Sequence, residues 1–189
     1  MHAVVAIAVP AVVAFDLATA AQVFGHIDER DYYRFDVVTP DDTPVPSTTG
    51  FRVTPTAELA SVRSADTVIV PGFEPLDAPS EPVLTALRAA AKGGARIVSI
   101  CTGAFALAEA GLLDGRPATT HWRDAAQFRA RFPAVELRGD VLYVDEGDIL
   151  TSAGVAAGID LCLHVAGADR GPAAELRIAR RQMRPAIVF

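Results

Sequence analysis

Cys101 has the clearest chemical potential in this chain because of what surrounds it. The run Ala95-Arg96-Ile97-Val98-Ser99-Ile100 reads as a strand and stops at Cys101-Thr102-Gly103, where a helical pattern begins. In open α/β sheets, ligands bind beyond the carboxyl ends of the strands. A thiol at such a turn faces the positive end of the next helix dipole, which favours thiolate over thiol. Thr102 and Gly103 add backbone amides to the same turn, making it the cysteine counterpart of a nucleophile elbow. Position alone leaves a second reading open: a buried, small apolar residue, as most free cysteines are.

Three further groups have the chemistry to act with a thiol. Pro71-Gly72-Phe73 follows the apolar run Asp66-Thr67-Val68-Ile69-Val70. Gly72 is either a bare turn or the donor of an amide to an oxyanion. Asp16 precedes a helical pattern and is either its N-cap or a carboxyl group within reach of a thiol at the same sheet edge. His121 stands beside Trp122, the only tryptophan, and is either a packing residue or the base or ion partner of Cys101. Cys162 and His164 share an otherwise apolar helix, which reads as core, with Cys162 inert.

These groups need a scaffold, and the chain supplies one. Residues 3–9, 66–70 and 95–100 are short β-branched runs without alternation, the pattern of strands covered on both faces. Residues 34–39 read as another strand, and 142–145 with 149–151 as an antiparallel pair around Glu146-Gly147. Helices are expected over 16–24, from a Ser80 cap to Gly93-Gly94, over 102–113, over 154–168 and over 173–183. Alternating strands and helices define a doubly wound α/β fold, a mostly parallel sheet with helices on both faces. One domain over residues 1–189 is expected, with residues 39–50 as a surface loop.

Composition narrows the function. Hydrophobic residues make up 51% of the chain, which excludes general disorder. With 23 acidic and 17 basic residues the net charge is -6, unlike a domain that grips nucleic acid with its whole surface. The start lacks a basic region and is interrupted by Pro10 and Asp16, so no secretory signal is expected. No apolar run reaches the ~18 residues of a membrane span. Two cysteines outside any CxxC pattern fit a reducing cytoplasm and imply neither a zinc site nor a disulfide framework. No metal or other cofactor is implied.

The segments VPGF (70–73), SICTGAFALAEAGLLDGRPATTHW (99–122) and TSAGVAAGIDLCLH (151–164) resemble the ThiJ/PfpI superfamily, which has the class I glutamine amidotransferase-like, flavodoxin-like fold. Two branches are similar. One is the amidase-like N-terminal domain of AraC-type transcription regulators, to which LTSAGVAAGIDLCLH is closest. The other is isonitrile hydratase, which adds water to isonitriles to give N-substituted formamides; VPAVVAFDLATAAQVF (9–24) follows its pattern. That resemblance implies Cys101 as nucleophile and Asp16 as essential acid, with His121 as a third catalytic candidate. Gly72, Phe73, Thr102 and Gly103 are then the oxyanion and ligand-binding set. Thr102 stands where some peptidases of the superfamily carry a histidine, so a neighbouring Cys-His dyad is absent.

The expectation is therefore a ligand-sensing domain of an AraC-type regulator, with a hydratase as the alternative. A protonated Asp16 beside a Cys101 thiolate, and amides of Gly72 and Thr102 facing developing negative charge, would carry any catalysis. The partners expected are a small-molecule ligand or substrate and a second copy of the chain in a homodimer. A regulator needs roughly 100 further residues for its DNA-binding domain, so this chain alone is not expected to read DNA, nor to bind membrane.

Overall fold

The computed structural model describes residues 1–77 and 79–182. In chain order the strands are β1 (His2–Ile7), β2 (Tyr33–Val38), β3 (Val45–Pro46), β4 (Arg52–Val53), β5 (Thr67–Val70), β6 (Arg96–Ile100), β7 (Pro117–Ala118), β8 (Glu136–Leu137), β9 (Tyr143–Asp145) and β10 (Ile149–Ser152). The helices are α1 (Ala14–Phe24), α2 (Glu81–Lys92), α3 (Ala104–Glu109), α4 (Ala125–Arg131), α5 (Ala156–Arg170) and α6 (Pro172–Gln182). Six strands form one sheet in the order β2-β1-β5-β6-β10-β9. Every pairing in it is parallel except β10 with β9. The expected doubly wound, flavodoxin-like fold is present, with the strand order reversing beside β1.

Alternation along the strands splits the core in two. Val5, Ile7, Val68, Val70 and Ile97 face one layer, with Leu87 of α2 and Phe105 and Leu107 of α3. Val4, Ala6, Ile69, Val98, Ile100 and Leu150 face the other, with Leu17 and Val23 of α1 and Leu161 and Val165 of α5. At about 25 cal/mol per Å² of apolar surface removed from water, these two layers are the main stabilising contribution. The topology brings the carboxyl ends of β1, β5, β6 and β10 to one edge, where Asp16, Gly72, Cys101 and the turn after Ser152 follow.

Several elements differ from their expected bounds for local reasons. The helix expected over 102–113 is a 3₁₀ turn, Cys101–Gly103, followed by α3. It stops early because Gly111, at φ 74°, closes a Schellman motif with Gly111 N bonded to Ala108 O and Leu112 N to Leu107 O. Ser80 occupies the N-cap of α2, but its side chain makes no capping bond and its buried Oγ has no partner among the described residues. Asp16 is not a cap at all, since Val13 is the N-cap of α1 and Asp16 lies inside the first turn. The last helix was expected over 173–183; residue 183 lies outside the described residues.

The far end of α1 leads to Glu29, which has no exposed surface. Its carboxylate binds Arg170 at the end of α5 together with Arg177 and Arg181 of α6, the last two at 3.0 and 2.8 Å. Burial alone would raise the Glu29 pKa, but the arginines hold it below its ordinary value. Because α6 buries only Ala174 and Ile178, this ionic clamp fixes its place. Glu29→Ala should cost about 1–3 kcal/mol in urea unfolding, since it removes the charged hydrogen bonds that three partly exposed guanidinium groups share. A depressed carboxyl pKa stabilises the fold above the unfolded value and stops doing so as pH falls through the folded one. The wild type should therefore lose this contribution below about pH 4.5, and the variant should show a flatter acid limb.

Candidate functional site

Cys101 adopts φ 60° between β6 and the 3₁₀ turn, the strained geometry expected of an elbow. It is 6% exposed. Its thiol lies beside the carboxyl group of Asp16 on α1, close enough for each group to shift the pKa of the other. Asp16 has no exposed surface. Its Oδ2 accepts the Gly72 N–H at 3.2 Å and its Oδ1 the Val155 N–H at 3.4 Å. The predicted pair of thiol and acid is therefore brought together, at the meeting point of four strand ends.

The glycines explain how closely these parts approach. A Cβ on Gly72 would lie 2.7 Å from Asp16 Oδ2 and 3.0 Å from Thr102 Oγ1. A Cβ on Gly154 would lie 2.8 Å from Cys101 Sγ, and Gly154 also needs its φ of 88°. Gly103 is packed against the Val70 carbonyl, 2.0 Å from where its Cβ would stand, which makes it a packing residue. Val155 follows Gly154 at φ 50° and ψ -119°, a strained conformation for a β-branched residue, and this turns its N–H onto Asp16.

The remaining predicted residues are close by but differently engaged. The Thr102 hydroxyl accepts from Phe73 N at 2.9 Å while donating to Phe73 O at 3.0 Å, and its backbone N–H opposes the rise in the Cys101 pKa. Phe73 is fully buried. The amides of Gly72 and Phe73 are thus both occupied within the site, by Asp16 Oδ2 and Thr102 Oγ1. His121 makes no hydrogen bond to Cys101; its charge acts on Asp16, and its Nδ1 lies 3.5 Å from Asp124 Oδ2. Among the described residues, no three His, Cys, Asp or Glu side chains converge on a metal position. A cleft of about 520 Å³, lined by residues that include Glu74, Asp77, Asp124 and Arg131, opens beside Asp124.

Electrostatics reverse the expected protonation. Burial is the largest influence on Cys101, the Asp16 charge adds to it, and together they push the thiol up to about 12 against the opposing Thr102 N–H. The helix dipole is too small to compensate, because α3 has only 6 residues and begins after a 3₁₀ turn. Burial also raises Asp16, while the Gly72 and Val155 amides, the Cys101 thiol and the His121 charge pull it back. Burial and the Asp16 charge thus both disfavour a Cys101 thiolate, against the lowered thiol pKa that the elbow position suggested. Cys162 is likewise pushed up to about 12 by its complete burial.

Sequence reasoning missed Gly154, Val155, Thr120 and Asp124. The first two were legible in principle, since the turn after β10 ends at the same sheet edge as Cys101. Thr120 donates its hydroxyl to the Cys101 carbonyl at 3.1 Å, and Asp124 adds to the rise in the Cys101 pKa; nothing in residue type marked either.

Fold and site together define a flavodoxin-like α/β domain with a cysteine elbow facing a buried carboxyl group. The chain belongs to the DJ-1/PfpI family, whose sequence profile matches residues 1–168. It is 35% identical over 152 residues to the HTH-type transcriptional regulator CdhR of Pseudomonas aeruginosa, a match covering 80% of this chain and 45% of that protein. It is 33% identical over 145 residues to the isonitrile hydratase of Pseudomonas putida, covering 73% of this chain and 62% of the hydratase. A solved AraC family transcriptional regulator from Pseudomonas putida superposes with a TM-score of 0.84 at 21% identity, over 97% of this chain and 100% of that one. The chain spans under half the length of the HTH-type regulator sequences it matches. Both branches of the resemblance are thus among its relatives.

Iodoacetamide should label Cys101 slowly at neutral pH and leave Cys162 untouched in the folded protein, as read by peptide mass spectrometry. Asp16→Asn removes the charge that raises the thiol, so alkylation at pH 8 should accelerate, by about tenfold for each unit the Cys101 pKa falls. An unchanged rate would remove Asp16 from control of the sulfur.

Proposed function

We propose that the chain is the ligand-sensing domain of an AraC-type transcriptional regulator, with the Cys101–Asp16 pocket as its binding centre. The observation that carries this reading is a thiol buried beside Asp16, with the Gly72 and Phe73 amides already bound inside the site and surroundings that disfavour thiolate. A pocket so arranged is suited to recognising a small ligand more than to attacking one. The identity to HTH-type regulators across most of this chain supports the same reading. DNA contact then belongs to another part of such a regulator, and the working compartment is the cytoplasm. Among the described residues no helix is long and apolar enough to cross a membrane.

The second reading, an isonitrile hydratase-like enzyme, is favoured by the direct Asp16–Cys101 contact and by the hydratase relative. In it, the sulfur bonds to the isonitrile carbon while Asp16 passes the thiol proton to that carbon. Water then displaces the sulfur, giving the formamide and restoring the thiol. His121 would support Asp16 by its charge rather than act on the sulfur.

Two measurements separate the readings. Incubation with an aliphatic isonitrile should yield no formamide above the level of a Cys101→Ala control; turnover lost in that variant would assign the hydratase instead. A thermal-shift screen of small polar metabolites should find a ligand that raises Tm, with the response abolished once Cys101 is carbamidomethylated.

The same reading calls for two copies, since a regulator matches the two-fold symmetry of its DNA site. Phe15, Trp122, Leu142 and Val155 are large apolar side chains left exposed and suit such an interface. Light scattering at micromolar concentration should give about twice the 19.9 kDa chain mass, and a monomer would count against the regulator.

A further inference from the structure

Cys101 is held at a positive φ that a non-glycine residue keeps only where its surroundings impose it. Close packing supplies part of the restraint, since a Cβ on Gly154 would lie 2.5 Å from the Cys101 Cβ. A directional bond adds to it: the hydroxyl of Thr120 donates to the Cys101 carbonyl at 3.1 Å. Thr120 is 2% exposed, so no bulk water stands ready to replace that bond.

We propose that Thr120 is a positioning residue whose hydroxyl, by holding the Cys101 carbonyl, keeps the elbow in its left-handed conformation and Sγ against Asp16. The Thr102 hydroxyl fastens the other side of the turn to Phe73, so the cysteine peptide is pinned between β5 and the segment after β7. Thr119 provides an internal comparison. It is as buried as Thr120 and its N–H is bonded to Thr151 Oγ1 at 2.8 Å, but its own hydroxyl has no partner among the described residues. The two adjacent hydroxyls thus differ in whether they touch the elbow.

The inference deepens the reading of the Cys101–Asp16 pocket as the working centre, and its test depends on no ligand. Iodoacetamide alkylation of Cys101 is followed against pH in the full chain and in Thr120→Val, Thr120→Ser and Thr119→Val. Released from Thr120, the elbow should relax and the sulfur leave Asp16, so the alkylation midpoint should fall from about 12 toward the ordinary thiol value. The rate at pH 8 should then rise by about tenfold per unit of that fall. Thr120→Ser and Thr119→Val should keep the wild-type profile. If Thr120→Val does not fold, Thr120→Ala removes the same hydroxyl without added bulk. A wild-type profile in Thr120→Val or Thr120→Ala, or an equal shift in Thr119→Val, would overturn the proposal. Failure to find a ligand response would bear on the sensing function and leave these rates as they are.

Discussion

Asp16 is a carboxyl group with no contact with solvent, and it is tolerable there only because each oxygen receives a backbone N–H, from Gly72 and from Val155. Those two amides come from the ends of different strands, β5 and β10, while the thiol beside the carboxyl group comes from the end of β6. Asp16 itself rides on the helix that follows β1. The contact between one acid and one thiol therefore fixes how four strand ends must meet. Glycine at 72 and 154 and positive φ at Cys101 and Val155 are the local conditions that allow it.

Two buried carboxyl groups in the same molecule show how surroundings decide charge. Glu29 is saturated by three guanidinium groups and is held below its ordinary pKa. Asp16 is met by dipoles, a thiol and a more distant imidazole, and burial prevails, raising it. The first arrangement anchors the last described helix to the end of α1. The second disfavours a thiolate at Cys101. Helices α1 and α5 each begin at the Asp16 site and lead to the Glu29 clamp, so the scaffold of the pocket and the seat of α6 are the same pair of helices.

Much of this was legible in residue order. Uninterrupted β-branched runs ending in Pro71-Gly72 or Cys101-Thr102-Gly103 located the strands, because parallel strands buried on both faces carry no polar alternation. The sheet edge made Gly72 and Cys101 candidates for one site and left Asp16 as either a helix cap or a carboxyl group within reach of the thiol. The resemblance to isonitrile hydratase paired it with Cys101. Three things were out of reach. The sign of the Cys101 shift depends on burial and on a carboxyl group from a distant helix, which outweigh a dipole that position alone suggested. The role of Asp16 inside the first turn of α1, not at its cap, depends on where the chain bends after Val9. The bond from Thr120 to the Cys101 carbonyl joins two residues whose types mark neither as a partner for the other.

The protonation state of Cys101 is the most direct measure of this account. Ultraviolet thiolate absorbance of a Cys162→Ala variant, corrected with the Cys101→Ala, Cys162→Ala double variant, reports that one sulfur across pH. The account predicts no thiolate at neutral pH and a rise only in the alkaline range approaching about 12. A thiolate already present at pH 7 would contradict it, since Asp16 and burial would then not be what governs the sulfur.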